Sequence, residues 1–156
     1  MITASLTSIV AYVIASRKFR SEKLWLKKFE AYESLFESLF HCKRYSDKYV
    51  ATFKNVRRRI SDEDSNRLSE KYDECQIEIE RAIAIGGFLF SANTNNILNM
   101  YETEESKNNH SESWEESVIN SQEILDRTIA KLVKSAKSDL SESSFKISEL
   151  LKNKME

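Results

Sequence analysis

Glu33, Glu37 and His41 recur at every fourth position, so a helix lines them along one edge. Two carboxylates and an imidazole on such an edge could hold a divalent cation. A di-metal bundle site, however, takes a Glu-x-x-His motif from each of two helices. This sequence has the spacing Glu-x-x-x-His once, and His110 is the only other histidine. A solvated charged face accounts for the three residues better, and no metal or cofactor is predicted. Lys54, Arg57, Arg58 and Arg59 could contact phosphates. They also sit where a helix should end, which favours cations, and Asp62, Glu63 and Asp64 follow to pair with them. Cys42 and Cys75 are too few for a disulfide framework and read as reduced core thiols. No serine or cysteine stands in a recognisable nucleophile motif. The reading is non-enzymatic, with neither a nucleic-acid partner nor a small-molecule substrate.

The most informative cluster is Arg17, Lys18, Arg20, Lys23, Lys27 and Lys28, set against Glu22 alone. It follows residues 1–16, MITASLTSIVAYVIAS, which carry no charged side chain. An apolar run flanked by cations on its C-terminal side is the pattern of a membrane segment whose following domain stays cytoplasmic. Each cation near an anionic lipid surface contributes about 1 kcal/mol, so these six side chains are the expected lipid-headgroup contacts. Sixteen residues of helix reach only about 24 Å, against the roughly 30 Å of a bilayer core. Snorkelling or local thinning would have to make up the difference.

The elements that position these residues follow from composition. In 156 residues there is no proline, and Gly86 and Gly87 are the only glycines. Sheet proteins need many tight turns, which draw on both residue types, so an all-α fold is expected. A glycine loop cradling phosphate is excluded for the same reason. Trp25, Phe29, Tyr32, Phe36 and Leu39 alternate steps of four and three, a coiled-coil-like seam that continues from Cys42 to Ile60. Ser61 with three acids behind it marks a stop and a new N-terminus. Leu68 through Gly86, Leu89 and Met100 reads as a second long helix, and Trp114 through Leu125 to Ala136 as a third, capped by Ser111 or Ser113. Ser141, Ser143 and Ser144 suggest a break before a short last helix. The expected helices are 17–60, 65–101, 112–138 and 143–154.

The stretch Phe19-Arg20-Ser21-Glu22-Lys23-Leu24-Trp25-Leu26-Lys27-Lys28-Phe29-Glu30-Ala31-Tyr32 resembles the opening of small bacterial membrane-tethered helical proteins, with an anchor, then Glu-x-x-Trp-x-x-Lys, then Ala-Tyr. Lys137-Ser138-Asp139-Leu140 is similar to their closing Arg-x-Asp-Leu turn, with Ser141 where those proteins usually have glycine. The resemblance implies a single-pass membrane protein and, through relatives that sit beside phage-defence genes, a role in defence. It implies no catalytic residue.

Together these features predict an N-terminal membrane-anchor helix, residues 1–16, continuous with an antiparallel three- to four-helix cytoplasmic bundle over residues 17–156. The expected location is the bacterial inner membrane. The expected function is protein interaction or self-association, as an effector or accessory in phage defence or envelope stress, with membrane lipid and a protein partner or second copy as partners. The alternative is a soluble regulatory bundle with residues 1–16 packed in its core. Three long helices would place the acidic loop 102–116 beside residues 17–28, and Lys131, Lys134 and Lys137 along the acids of the second helix. They would also stack Trp25, Met100 and Trp114 in one layer and fit Gly86 against Phe36 and Leu39.

Overall fold

A computed structural model describes the backbone of residues 2–54, 60–108 and 110–152, and the side chains of residues 16, 19–54, 60–108 and 110–141. Four helices follow in order: α1 (Ile2–Lys54), α2 (Asp62–Leu89), α3 (Ala92–Asn108) and α4 (Trp114–Lys152). α1 packs against α2 and α4, α3 packs against α4, and α2 meets α3 only lightly. Every sequential pair is antiparallel.

Local chemistry sets the helix starts. Ser61 is extended, and its Oγ accepts from the Asp64 N–H at 3.2 Å, with Asp62, Glu63 and Asp64 in the first turn. Ser113 caps α4 in the same way, accepting from Glu116 N–H at 3.2 Å. Each cap contributes about 1 kcal/mol. The Lys54–Arg59 cluster lies almost wholly outside the described residues.

Leu35, Leu39 and Cys42 of α1, Ile79 of α2, Leu98 of α3, and Leu125 and Leu132 of α4 are fully buried at the centre. A smaller cluster of Tyr49, Val50 and Val118 fills the distal end, where Tyr45, Phe53 and Ile60 pack on it. Trp114 is itself half exposed and lies edge-on to Tyr49 and Phe53, at 5.0 and 5.2 Å. The register of α1 against α4 runs from Trp25–Leu140 through Lys43–Asp126 to Asp47–Gln122.

The structure corrects the expected topology at one decisive place. Residues 65–101 are not one helix. The chain reverses at Phe90 and Ser91, where Phe90 is extended and its N–H bonds Gly86 O at 2.8 Å. Ser91 then opens α3, its Oγ accepting from Thr94 N–H at 3.3 Å. One added reversal moves everything after it to the opposite end. The acidic segment 102–116 therefore lies beside Tyr49 and Phe53, far from residues 17–28. Trp25 and Trp114 occupy opposite ends, and Met100 is exposed. α4 is diagonal to α2, so Lys131, Lys134 and Lys137 do not run along the α2 acids. Gly86 is fitted to Asn95, not to Phe36 or Leu39: an added Cβ would lie 2.5 Å from Asn95 Oδ1.

The second correction is at the C-terminal side. α4 runs unbroken from Trp114 to Lys152, through the serines and through Asp139-Leu140, where a turn was expected. The Ser141 hydroxyl satisfies itself on Ser138 O at 2.9 Å, so it leaves the helix intact.

α1 is a single helix of 53 residues, roughly 80 Å long. Among the described residues no helix is long and apolar enough to cross a membrane. The helical bundle is as expected, and a spanning anchor helix finds no support among the described residues.

Candidate functional site

Two places concentrate polar chemistry, and a third carries the exposed basic cluster. The first is built around the turn at Ser91. Tyr32 projects from α1 into the centre, with the Phe90 ring tilted against it, centroids 4.6 Å apart. Its hydroxyl donates to the Asp139 carboxylate of α4. The surrounding bonds form a chain with one consistent direction. Asn93 Nδ2 donates to Ser135 Oγ at 2.7 Å, Ser135 and Thr94 hydroxyls lie 2.7 Å apart, and Thr94 and Tyr32 hydroxyls 2.8 Å apart. Because Tyr32 spends its proton on Asp139, Thr94 donates to Tyr32 and Ser135 to Thr94. Ser91 N–H adds a bond to Asp139 Oδ2 at 3.0 Å, and Lys28 Nζ stands 3.9 Å from the same oxygen. Burial pushes the Asp139 pKa up, but the Tyr32 and Ser91 bonds and the Lys28 charge outweigh it and hold the carboxyl below its ordinary range. Tyr32 is pushed up by burial and by Asp139, so it stays protonated.

The second place lies toward the C-terminal end of α3. Glu105 accepts from Ser121 Oγ at 2.9 Å, while its buried Oε1 has no hydrogen-bond partner among the described residues. Burial raises its pKa. Asn108 bridges to Ser121 Oγ and Ser117 O, both at 2.8 Å. Cys42 is pushed up to about 12, first by burial and then by Cys75 and Glu105, and Cys75 is raised by burial. Both are free thiols, so at neutral pH neither is a ready nucleophile.

The edge read from Glu33, Glu37 and His41 is open to solvent on α1, with His41 Nε2 3.9 Å from Glu37 Oε1. No group of three metal-binding side chains occurs among the described residues.

The third place is the projecting part of α1. Arg17 and Lys18 have no described side chains. Arg20, Lys23 and Lys27 are exposed, and Lys23 Nζ lies 4.5 Å over the Phe19 ring. Lys28 is turned inward to Asp139, which sequence could not anticipate. Between the cations, Phe19, Leu24 and Leu26 are 50% to 58% exposed. The cause is topological: α2 and α3 end at the level of Tyr32, so α1 before Trp25 runs beyond their reach.

Of the expected packing residues, Tyr32, Leu39, Gly86 and Leu125 are buried, and Trp25, Phe36 and Leu89 are half-buried. Phe29, Met100 and Trp114 are exposed. Sequence reasoning missed Thr94, Ser135 and Asp139. A signal existed, since serines and threonines fall at helical spacing on what proves to be the inner face of α4, at Ser121, Thr128 and Ser135.

Comparison with protein-family models, with curated proteins and with solved structures finds no match to this chain.

Proposed function

We propose that this chain is a non-enzymatic helical-bundle protein held at the cytoplasmic face of a bacterial inner membrane, where it acts through contacts with protein partners and with its own kind. The observation that carries this reading is the form of α1. The uncharged segment continues without a break into exposed Phe19, Leu24 and Leu26 interleaved with Arg20, Lys23 and Lys27. That combination suits a helix inserted into one leaflet, with cations at the headgroups. A shallow insertion also fits the 24 Å or so that residues 1–16 can reach. The buried hydroxyls and raised thiols favour a scaffold over a catalyst. The alternative is a soluble regulatory bundle with residues 1–16 packed in its core, and in either reading α1 runs unbroken from Ile2. The resemblance over residues 19–32 points the role toward phage defence or envelope stress.

Vesicle flotation tests the reading. The full chain should float with vesicles containing anionic lipid. Arg20→Glu, Lys23→Glu and Lys27→Glu together should weaken that by roughly 3 kcal/mol or more, at about 1 kcal/mol per cation. A chain that stays at the bottom of the gradient with every lipid composition sinks it.

A further inference from the structure

The outer seam between α1 and α4 is unfinished. Phe29, Phe36, Val133 and Leu140 line an almost wholly apolar groove of about 340 Å³, with Glu33 and Lys137 on its rims. Phe40 extends the stripe one turn further; it is 54% exposed, with its ring 6.5 Å from Phe36. Phe29, Phe36 and Phe40 stand at spacings of seven and four, so they hold one edge of α1 for three turns. Aromatic side chains at that density, repeatedly half exposed, form a surface that water covers poorly.

The charges beside the stripe discriminate among occupants. On α1 the stripe is bordered by exposed Glu30, Glu33 and Glu37, and on α4 by exposed Lys134 and Lys137. An anionic lipid surface would meet three carboxylates. The register fixed by Trp25–Leu140 and Lys43–Asp126 puts Glu30 level with Lys137, and Glu33 level with Lys134. The face therefore carries acids on one rim and bases on the other at matching heights.

We propose that this face is a homodimer interface, in which a second copy docks about a two-fold axis parallel to the helices. That axis exchanges the rims. It lays α1 of each copy over α4 of the other, sets Glu30 and Glu33 against the partner's Lys137 and Lys134, and closes the two phenylalanine stripes on each other. A two-fold axis perpendicular to the helices would instead stack α1 on α1 and bring the acids together, which costs several kcal/mol. The proposal rests on the self-association half of the function given above and names its surface.

Equilibrium sedimentation of the full chain in density-matched detergent reads protein mass whether or not residues 1–16 bind lipid. The wild type should be a dimer. Phe40→Glu, at an exposed position, should give monomer with unchanged helical circular dichroism and melting temperature. Glu33→Lys and Lys134→Glu should each weaken the dimer by about tenfold or more, and the two combined should restore it. A monomeric wild type overturns the proposal. So does a dimer indifferent to Phe40→Glu, and so does a double charge reversal no tighter than either single one. A chain that floats with vesicles but sediments as monomer removes the dimer and keeps the membrane reading; the converse removes only the latter.

Discussion

Asp139 and Glu105 are both carboxylates drawn into the bundle, and they lie against opposite ends of α3. Asp139 meets the helix at its start, accepting from Ser91 N–H, with Tyr32 and Lys28 completing its surroundings. There the helix dipole and the unsatisfied N–H groups favour a negative charge. Glu105 belongs to the last turn of α3, where the dipole opposes the charge, and one of its oxygens is buried without a hydrogen-bond partner among the described residues. The same functional group is therefore lowered at one end and raised at the other. The contrast shows that burial alone does not decide whether an acid helps this fold. Its place along a helix and its donors do.

Removing each acid should expose that difference with opposite signs. Asp139→Ala leaves Lys28, Tyr32 and Ser91 N–H facing an empty acceptor, and should cost about 3 kcal/mol in urea unfolding. If Asp139→Ala costs less than Glu105→Gln changes stability, the comparison fails. Gly86→Leu tests the turn that delivers Ser91. Its side chain must displace Asn95 and Phe90, so a loss of about 1–3 kcal/mol is expected. Glu105→Gln removes the disfavoured charge while keeping a hydrogen-bonding group, and should gain about 1 kcal/mol at pH 7. A loss there would mean that the carboxylate is wanted.

The pH dependence follows with its signs. The folded pKa of Glu105 lies above its ordinary value of 4.5, so ionisation costs stability fully above the folded pKa, and the cost fades as pH falls toward 4.5. The folded pKa of Asp139 lies below its ordinary value of 3.8, so its contribution is complete above 3.8 and is lost as pH falls through the folded value. Mild acidification should first stabilise and stronger acidification destabilise, and Glu105→Gln should abolish the first phase only. The smallest effect is expected at Gly87, where an added Cβ meets nothing within 4 Å. Gly87→Ala should stabilise by up to about 1 kcal/mol through helix propensity, in contrast to its neighbour.

Much of this architecture was legible in the residues. The missing prolines, the seam through Tyr32 and Leu39, and the caps at Ser61 and Ser113 carry the helical class and the starts of α2 and α4. The reversal at Phe90–Ser91 was not legible, because no proline or glycine stands in the turn and the apolar spacing from Ile79 to Ile97 continues across it. Ser91 with Thr94 three residues on was the available cue, since a serine hydroxyl there caps a helix. Ser141 misled in the other direction, because a hydroxyl that bonds its own helix need not end it. The polar centre escaped for a different reason. Tyr32, Thr94, Ser135 and Asp139 come from three helices and meet only in the fold, and each alone looks like an ordinary helix residue. In the basic flank, Arg20, Lys23 and Lys27 are exposed as read from the sequence, whereas the inward turn of Lys28 depends on where Asp139 lies.

An even number of helices has a mechanical consequence. With four antiparallel elements, Ile2 of α1 and Lys152 of α4 emerge at the same end, on adjacent helices. A load drawing those two ends apart cannot shear the α1–α4 seam along its length. It peels the seam open from one side, straining a single layer at a time. Trp25–Leu140 is the first described contact to bear the force, Asp139 with Lys28 and Tyr32 the next, and Trp114 on Phe53 the last. The buried polar chain is thus the clasp near the mouth of the zipper.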